Sequence, residues 1–94
     1  MDRIHVDGDN KGDVLLYPLT TCGWCRRTKA LLQELNVRYD YIDVDILDKK
    51  EERDAAMAEV KKWNPACSFP SLVIDDKECI VGFQEQKLRE KFGA

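Results

Sequence analysis

The chain has 94 residues, the size of a single domain, and its 44% apolar and 35% charged content fits a folded soluble protein and not a disordered tail. A net charge of −3 argues against nucleic acid as a partner, because binding phosphates needs a basic surface. No apolar run approaches the ~20 residues of a membrane-spanning helix, and the opening Met-Asp-Arg-Ile-His-Val-Asp-Gly-Asp has no apolar leader segment, so a membrane-free, cytoplasmic location is expected.

Residues 1–12 are polar and turn-rich and read as a flexible N-terminal extension, in which Ile4-His5-Val6 offers at most a short edge strand. Residues 13–94 are read as the domain. Val14-Leu15-Leu16-Tyr17 is a continuous apolar run ended by Pro18, the pattern of a strand buried on both faces. Thr20 and Thr21 supply capping chemistry for a helix from about Gly23 to Asn36. Along it Cys25, Thr28, Leu31, Leu32 and Leu35 form one inward stripe, and Asn36 suits the C-terminal cap.

A β-rich stretch over Arg38–Asp45 predicts a second strand. Asp48 with Glu51 resembles a capping box opening a helix to about Trp63, whose inner face carries Ala56, Val60 and Trp63. Asn64-Pro65 closes that helix. Ser71–Ile74 and Glu78–Val81 read as a hairpin of two strands, Gly82 breaks it, and a last helix runs from about Gln84 to Phe92. The result is a small α/β fold of order β-α-β-α-β-β-α, a four-stranded mixed sheet with three flanking helices.

Four cysteines carry the chemistry: Cys22, Cys25, Cys67 and Cys79. Cys22-Gly23-Trp24-Cys25 straddles a strand-to-helix junction, where unpaired backbone N–H groups and the helix dipole favour an anion. A thiolate is such an anion, and it is the nucleophile of thiol–disulfide exchange. Cys25 lies on the apolar stripe and is expected to be partly buried, whereas Cys22 precedes the helix and is expected to be exposed. This assigns attack to Cys22 and resolution to Cys25. Arg26, Arg27 and Lys29 oppose the dipole of their own helix, which makes sense where positive charge stabilises a thiolate or attracts an acidic substrate. A metal-binding or iron–sulfur carrier module using the same cysteines is the alternative. Against it, Cys67 and Cys79 are not a closely spaced pair and the single histidine, His5, lies in the extension, so no metal ligands are assigned. Cys79 reads as core, Cys67 as a loop cysteine near the site, and Trp63 as a core or loop anchor.

Over about residues 13–92 the chain resembles the glutaredoxin family, within the thioredoxin fold. The resemblance rests on Tyr17-Pro18-Leu19-Thr20-Thr21-Cys22-Gly23-Trp24-Cys25, Ser68-Phe69-Pro70 and Val81-Gly82-Phe83, in that order. It implies a small dithiol–disulfide oxidoreductase with Cys22 as nucleophile and Cys25 as resolving cysteine. It implies a cis peptide bond before Pro70, with the backbone of Phe69 offered to a substrate strand. Gly82-Phe83 matches the turn that approaches a bound thiol compound, and Gln84 and Glu85 match positions that often hold glutathione. Trp24 is expected to sit exposed beside the thiols, in contact with substrate. The implied substrates are disulfide-containing proteins or small thiol compounds. No bound cofactor is implied, and electrons would come from glutathione, another thiol or a flavoprotein reductase; a monomer is expected. Two departures stand out: Gly23-Trp24 between the cysteines, and Leu19 where glutathione-using members often carry Lys or Arg. The Ser-Phe-Pro and Gly-Phe variants lean toward the glutaredoxin-like donors of ribonucleotide reductase.

Overall fold

The computed structural model describes residues 3–93. Strands β1 (Ile4–Val6), β2 (Val14–Tyr17), β3 (Tyr39–Tyr41), β4 (Ser71–Ile74) and β5 (Glu78–Val81) form one sheet in the order β1-β3-β2-β4-β5. Helix α1 (Gly23–Glu34) makes the crossover from β2 to β3, which pair in parallel. Helix α2 (Lys50–Trp63) leads to β4 and helix α3 (Glu85–Phe92) follows β5. The remaining pairings are antiparallel, so the sheet is mixed and the fold is thioredoxin-like.

All four residues of β2 are buried, as a central strand covered on both faces requires. The pleat divides them. Val14 and Leu16 join Leu72 and Ile74 of β4 under Leu31 and Leu32 of α1 and Leu88 and Phe92 of α3. Leu15, Tyr17 and Val73 face Ala56 and Val60 of α2, with Trp63 packed at the edge of that cluster. Two cores therefore lie on opposite faces of one sheet. Helix α1 ends at Glu34 with Leu35 as its cap, and Asn36 takes the left-handed conformation (φ 54°) just beyond.

The sheet has five strands, not four, because Ile4–Val6 takes the edge position and pairs with Val6 opposite Tyr39 and Ile4 opposite Tyr41. The expected flexible extension thus gives way over its described part. Asp9 continues the attachment: its N–H donates to Asn36 O (2.7 Å) and its carbonyl accepts from Arg38 N–H (3.0 Å). Gly8 permits this approach, since a Cβ there would stand 2.6 Å from the Val37 carbonyl carbon. Residues 1 and 2 of the extension lie outside the described residues.

The second predicted strand is shorter than read. β3 stops at Tyr41 because its partner β2 stops at Tyr17, before Pro18. The chain still follows its neighbour, with Val44 N–H donating to Pro18 O (3.3 Å), and then closes a 3-10 turn over Val44–Ile46. The capping box at Asp48 and Glu51 does not form. Lys49 occupies the cap position without a side-chain hydrogen bond, and Arg53 instead donates to the carbonyls of Leu47 (2.5 Å) and Asp48 (3.2 Å).

Candidate active site

Cys22 is the N-terminal cap of α1, with an extended backbone (φ −92°, ψ 118°). Its sulfur accepts the Cys25 N–H at 3.3 Å, filling the role usually taken by a Ser or Asp oxygen. The first turn contains no acidic residue that would compete with a thiolate. One turn on, Cys25 is buried to 1% exposure, and its sulfur accepts the Leu19 N–H at 3.4 Å.

The two thiols are driven apart. Burial alone would raise Cys22, but hydrogen bonds from the Cys25 thiol and from the Cys25 and Trp24 N–H groups, with the nearby Arg26 charge, outweigh it and leave Cys22 below the ordinary thiol value. Burial first, and then the hydrogen bond to Cys22 and its negative charge, push Cys25 up to about 12, against smaller opposing effects of Leu19 N–H and Lys29. The pair therefore consists of one half-buried sulfur whose thiolate is favoured and one fully buried, protonated sulfur; Cys22, expected to be exposed, is partly covered where it caps the helix.

The other residues come to this end of the sheet by register. Tyr17 pairs with Ser71 and Ser71 with Val81, so the next residues, Pro18, Pro70 and Gly82, lie side by side at one sheet end. Gly82 N–H donates to Pro70 O at 2.8 Å, and Gly82 uses a positive φ of 77° that favours glycine. The Phe69–Pro70 bond is cis. The Phe69 side chain packs partly into the core under α2, and its backbone pairs with no other described residue. The Trp24 ring stacks on Phe83 with centroids 5.8 Å apart, joining the start of α1 to the turn before α3. Leu19 packs at the margin of the α2 core. Gln84 donates to Val81 O (2.7 Å) and Glu85 pairs with Arg89 (2.9 Å), so both have partners within the chain.

Cys67 has a left-handed backbone (φ 54°) and a half-buried sulfur 4.0 Å from Met57 O. Cys79 is expected in the core from its place in a strand. It is only half-buried because β5 is the sheet edge, and burial of its thiol still pushes its pKa up. Among the described residues no group of three or more His, Cys, Asp or Glu is placed to hold a metal ion.

Two supporting residues were not found in the sequence. The Asp45 carboxylate accepts Thr20 Oγ1–H at 2.6 Å and Thr20 N–H at 3.0 and 3.2 Å, tying the loop before Cys22 to the 3-10 turn. Asn64 is buried and donates to Ser68 O (3.2 Å), Ser68 Oγ (2.9 Å) and Ser71 Oγ (3.4 Å), which shapes the loop before Pro70. Neither has a local sequence signature. Asp45 lies 25 residues from its partner, and Asn64 reads simply as the residue before a proline.

A thioredoxin-like sheet with a Cys-X-X-Cys pair at the start of its first helix, one thiol lowered in pKa at the helix cap and one buried, defines a protein of the thiol–disulfide oxidoreductase kind. The glutaredoxin family model matches residues 14–80, and the chain belongs to that family. A crystal structure of methanoredoxin from Methanosarcina acetivorans is 40% identical with a TM-score of 0.90, covering 100% of this chain and 97% of that one. The glutaredoxin from Methanosarcina mazei Go1 is 46% identical with a TM-score of 0.85, covering 100% and 90%. A glutaredoxin-like 8.6 kDa protein of the rubredoxin operon of Clostridium pasteurianum is 31% identical over 75 residues, 80% of this chain and 91% of that protein. No helix of the described residues is long and apolar enough to cross a membrane.

Proposed function

We propose that the chain reduces disulfides of proteins or small thiol compounds through a Cys22–Cys25 redox couple. The observation that carries this reading is the placement and opposite displacement of the two thiols, with the Cys22 sulfur accepting a backbone N–H at the helix cap and lowered in pKa, and Cys25 buried and held protonated beneath it. The Cys22 thiolate attacks one sulfur of a substrate disulfide, forming a mixed disulfide and expelling the other sulfur as a thiolate. Two of the influences that raise Cys25, the hydrogen bond to Cys22 and its charge, end when Cys22 enters that disulfide. Cys25 then gives up its proton to a departing thiolate and attacks the Cys22 sulfur. This releases the second substrate thiol and leaves a Cys22–Cys25 disulfide. Two electrons pass from the protein to the substrate, and a thiol or a flavoprotein reductase restores the dithiol.

The supporting cast fits this course. The unpaired Phe69 backbone beside Pro70 offers main-chain hydrogen bonds to an extended substrate segment. Gly82, Trp24 and Phe83 complete the surface around Cys22. Leu19 provides no charge for a glutathione carboxylate, which favours a donor other than glutathione. The cytoplasm, where thiols are kept reduced, is the compartment this chemistry suits. Replacing each cysteine tests the assignment. Cys22→Ser abolishes disulfide reduction, and Cys25→Ser accumulates a mixed disulfide that peptide mapping places on Cys22. An adduct on Cys67 instead would overturn the roles.

A further inference from the structure

Trp24 is 56% exposed, and the other exposed large apolar side chains among the described residues, Ile4 and Ile46, lie in the edge strand β1 and the 3-10 turn. A tryptophan left more than half in water forgoes much of the burial energy its ring could give, and the exposed face lies beside the cysteine pair. Its ring is nevertheless held in place: Phe83 stacks on it at an interplanar angle of 24°, and the Arg27 guanidinium lies 5.0 Å from its centroid. Gly23, between Cys22 and Trp24, has nothing within 4 Å of where a side chain would stand, so the approach from ledge to nucleophile is open.

Charge gives the ledge a sign. The chain carries −3 overall, yet Arg26 and Arg27 pair with no carboxylate of the described residues. Neighbouring charges are already matched: Lys29 with Asp43 at 3.5 Å, and Arg89 with both Glu34 (2.6 Å) and Glu85 (2.9 Å). A guanidinium lying over a ring still presents its N–H edge to a carboxylate.

We infer that the Trp24–Phe83 ledge and the two unpaired arginines select polypeptide disulfides whose cysteine is flanked by an aromatic residue and a carboxylate. The inference rests on the dithiol reading of Cys22 and Cys25 given above. The test mixes the reduced full-length chain with disulfide-linked peptide dimers, X-Cys-Z in a glycine frame, where X is Phe or Ser and Z is Glu or Lys. In each reaction protein dithiol and peptide disulfide give the Cys22–Cys25 disulfide and two peptide thiols, followed by acid quenching and intact mass. The Phe/Glu dimer reacts about tenfold faster than the Ser/Lys dimer at low salt. At high salt, where exposed charges are screened, the ratio falls to about threefold. Ratios within one protein cancel any change in thiol reactivity. Trp24→Ser therefore removes the preference for Phe, and the double change Arg26→Gln with Arg27→Gln removes the preference for Glu. Equal rates for all four dimers, or a preference that survives these substitutions, overturn the ledge while leaving the redox couple standing. If no disulfide draws two hydrogens from the protein, the dithiol reading fails and the inference falls with it.

Discussion

Replacing Cys25 with Ala isolates what the buried thiol does for its partner before any substrate arrives. In the native pair the Cys22 thiolate accepts from the Cys25 S–H and from the Cys25 and Trp24 N–H groups, and is attracted by Arg26. The substitution deletes the S–H alone. A hydrogen bond to a charged group contributes about 1.5–3 kcal/mol. A thiol is a weak donor and Cys22 is partly open to water, which reduces this to about 0.7–1.4 kcal/mol. At 1.36 kcal/mol per tenfold, Cys22→thiolate ionisation at pH 7 drops about three- to tenfold. The assay is the rate of Cys22 alkylation by iodoacetamide across pH, with peptide mapping to separate Cys67 and Cys79. With the donor gone the thiolate is less favoured, so the titration moves to higher pH, and Cys25→Ser, which keeps a hydroxyl donor, moves it less than Cys25→Ala. A profile that stays in place or moves to lower pH would show that Cys25 does not hold the Cys22 thiolate.

Three further outcomes follow from the same geometry. Asn64→Ala leaves the Ser68 and Ser71 groups without their buried donor and costs about 1–3 kcal/mol in urea unfolding; a loss under half a kcal/mol would mean the loop before Pro70 is held by other means. Asp45→Ala removes the carboxylate from Thr20 at an exposed site, costs about 1 kcal/mol, and speeds amide exchange at Thr20 more than at Leu16, whereas uniform acceleration would argue against a local tether. Protonated His5 donates from Nδ1 to Asp40 (2.7 Å) and from Nε2 to Asp7 (2.8 Å), and these hydrogen bonds, Asp40 foremost, raise its pKa. A raised histidine stabilises its surroundings fully below its unfolded value near 6.5 and loses that effect as pH climbs through the folded value. Corrected hydrogen exchange should therefore show Ile4–Val6 better protected at pH 6 than at pH 8.5, and His5→Gln should erase the difference.

The features legible in the sequence were those set by neighbours along the chain. Val14–Tyr17 declared a strand covered on both faces, and the spacing of Cys25, Thr28, Leu31 and Leu32 declared the buried stripe that separates the two thiols. Burial of Cys25 follows from that stripe, while Cys22, capping the helix, is half-buried and not exposed as expected. What the sequence hid was set by pairing at a distance. Ile4–Val6 becomes a strand only because Tyr39–Tyr41 leaves an open edge, and β3 is cut short by the end of β2 rather than by its own residues. Asp45 and Asn64 hold the two loops of the site through bonds whose partners cannot be named until the chain is folded. Asp48 and Glu51 had the local form of a cap, but Lys49 takes the cap position, the helix opens one residue later, and Arg53 donates to the Leu47 and Asp48 carbonyls.

The central claim is that Cys22 and Cys25 form a reversible two-electron couple. Equilibrating the purified protein across graded ratios of reduced to oxidised glutathione, with acid quenching, intact mass and peptide mapping, tests it most directly. The account predicts a reversible loss of two hydrogens confined to a Cys22–Cys25 bridge, with one midpoint. Thiols that ignore the buffer, a bridge that includes Cys67 or Cys79, or a mass that shows retained metal would contradict it.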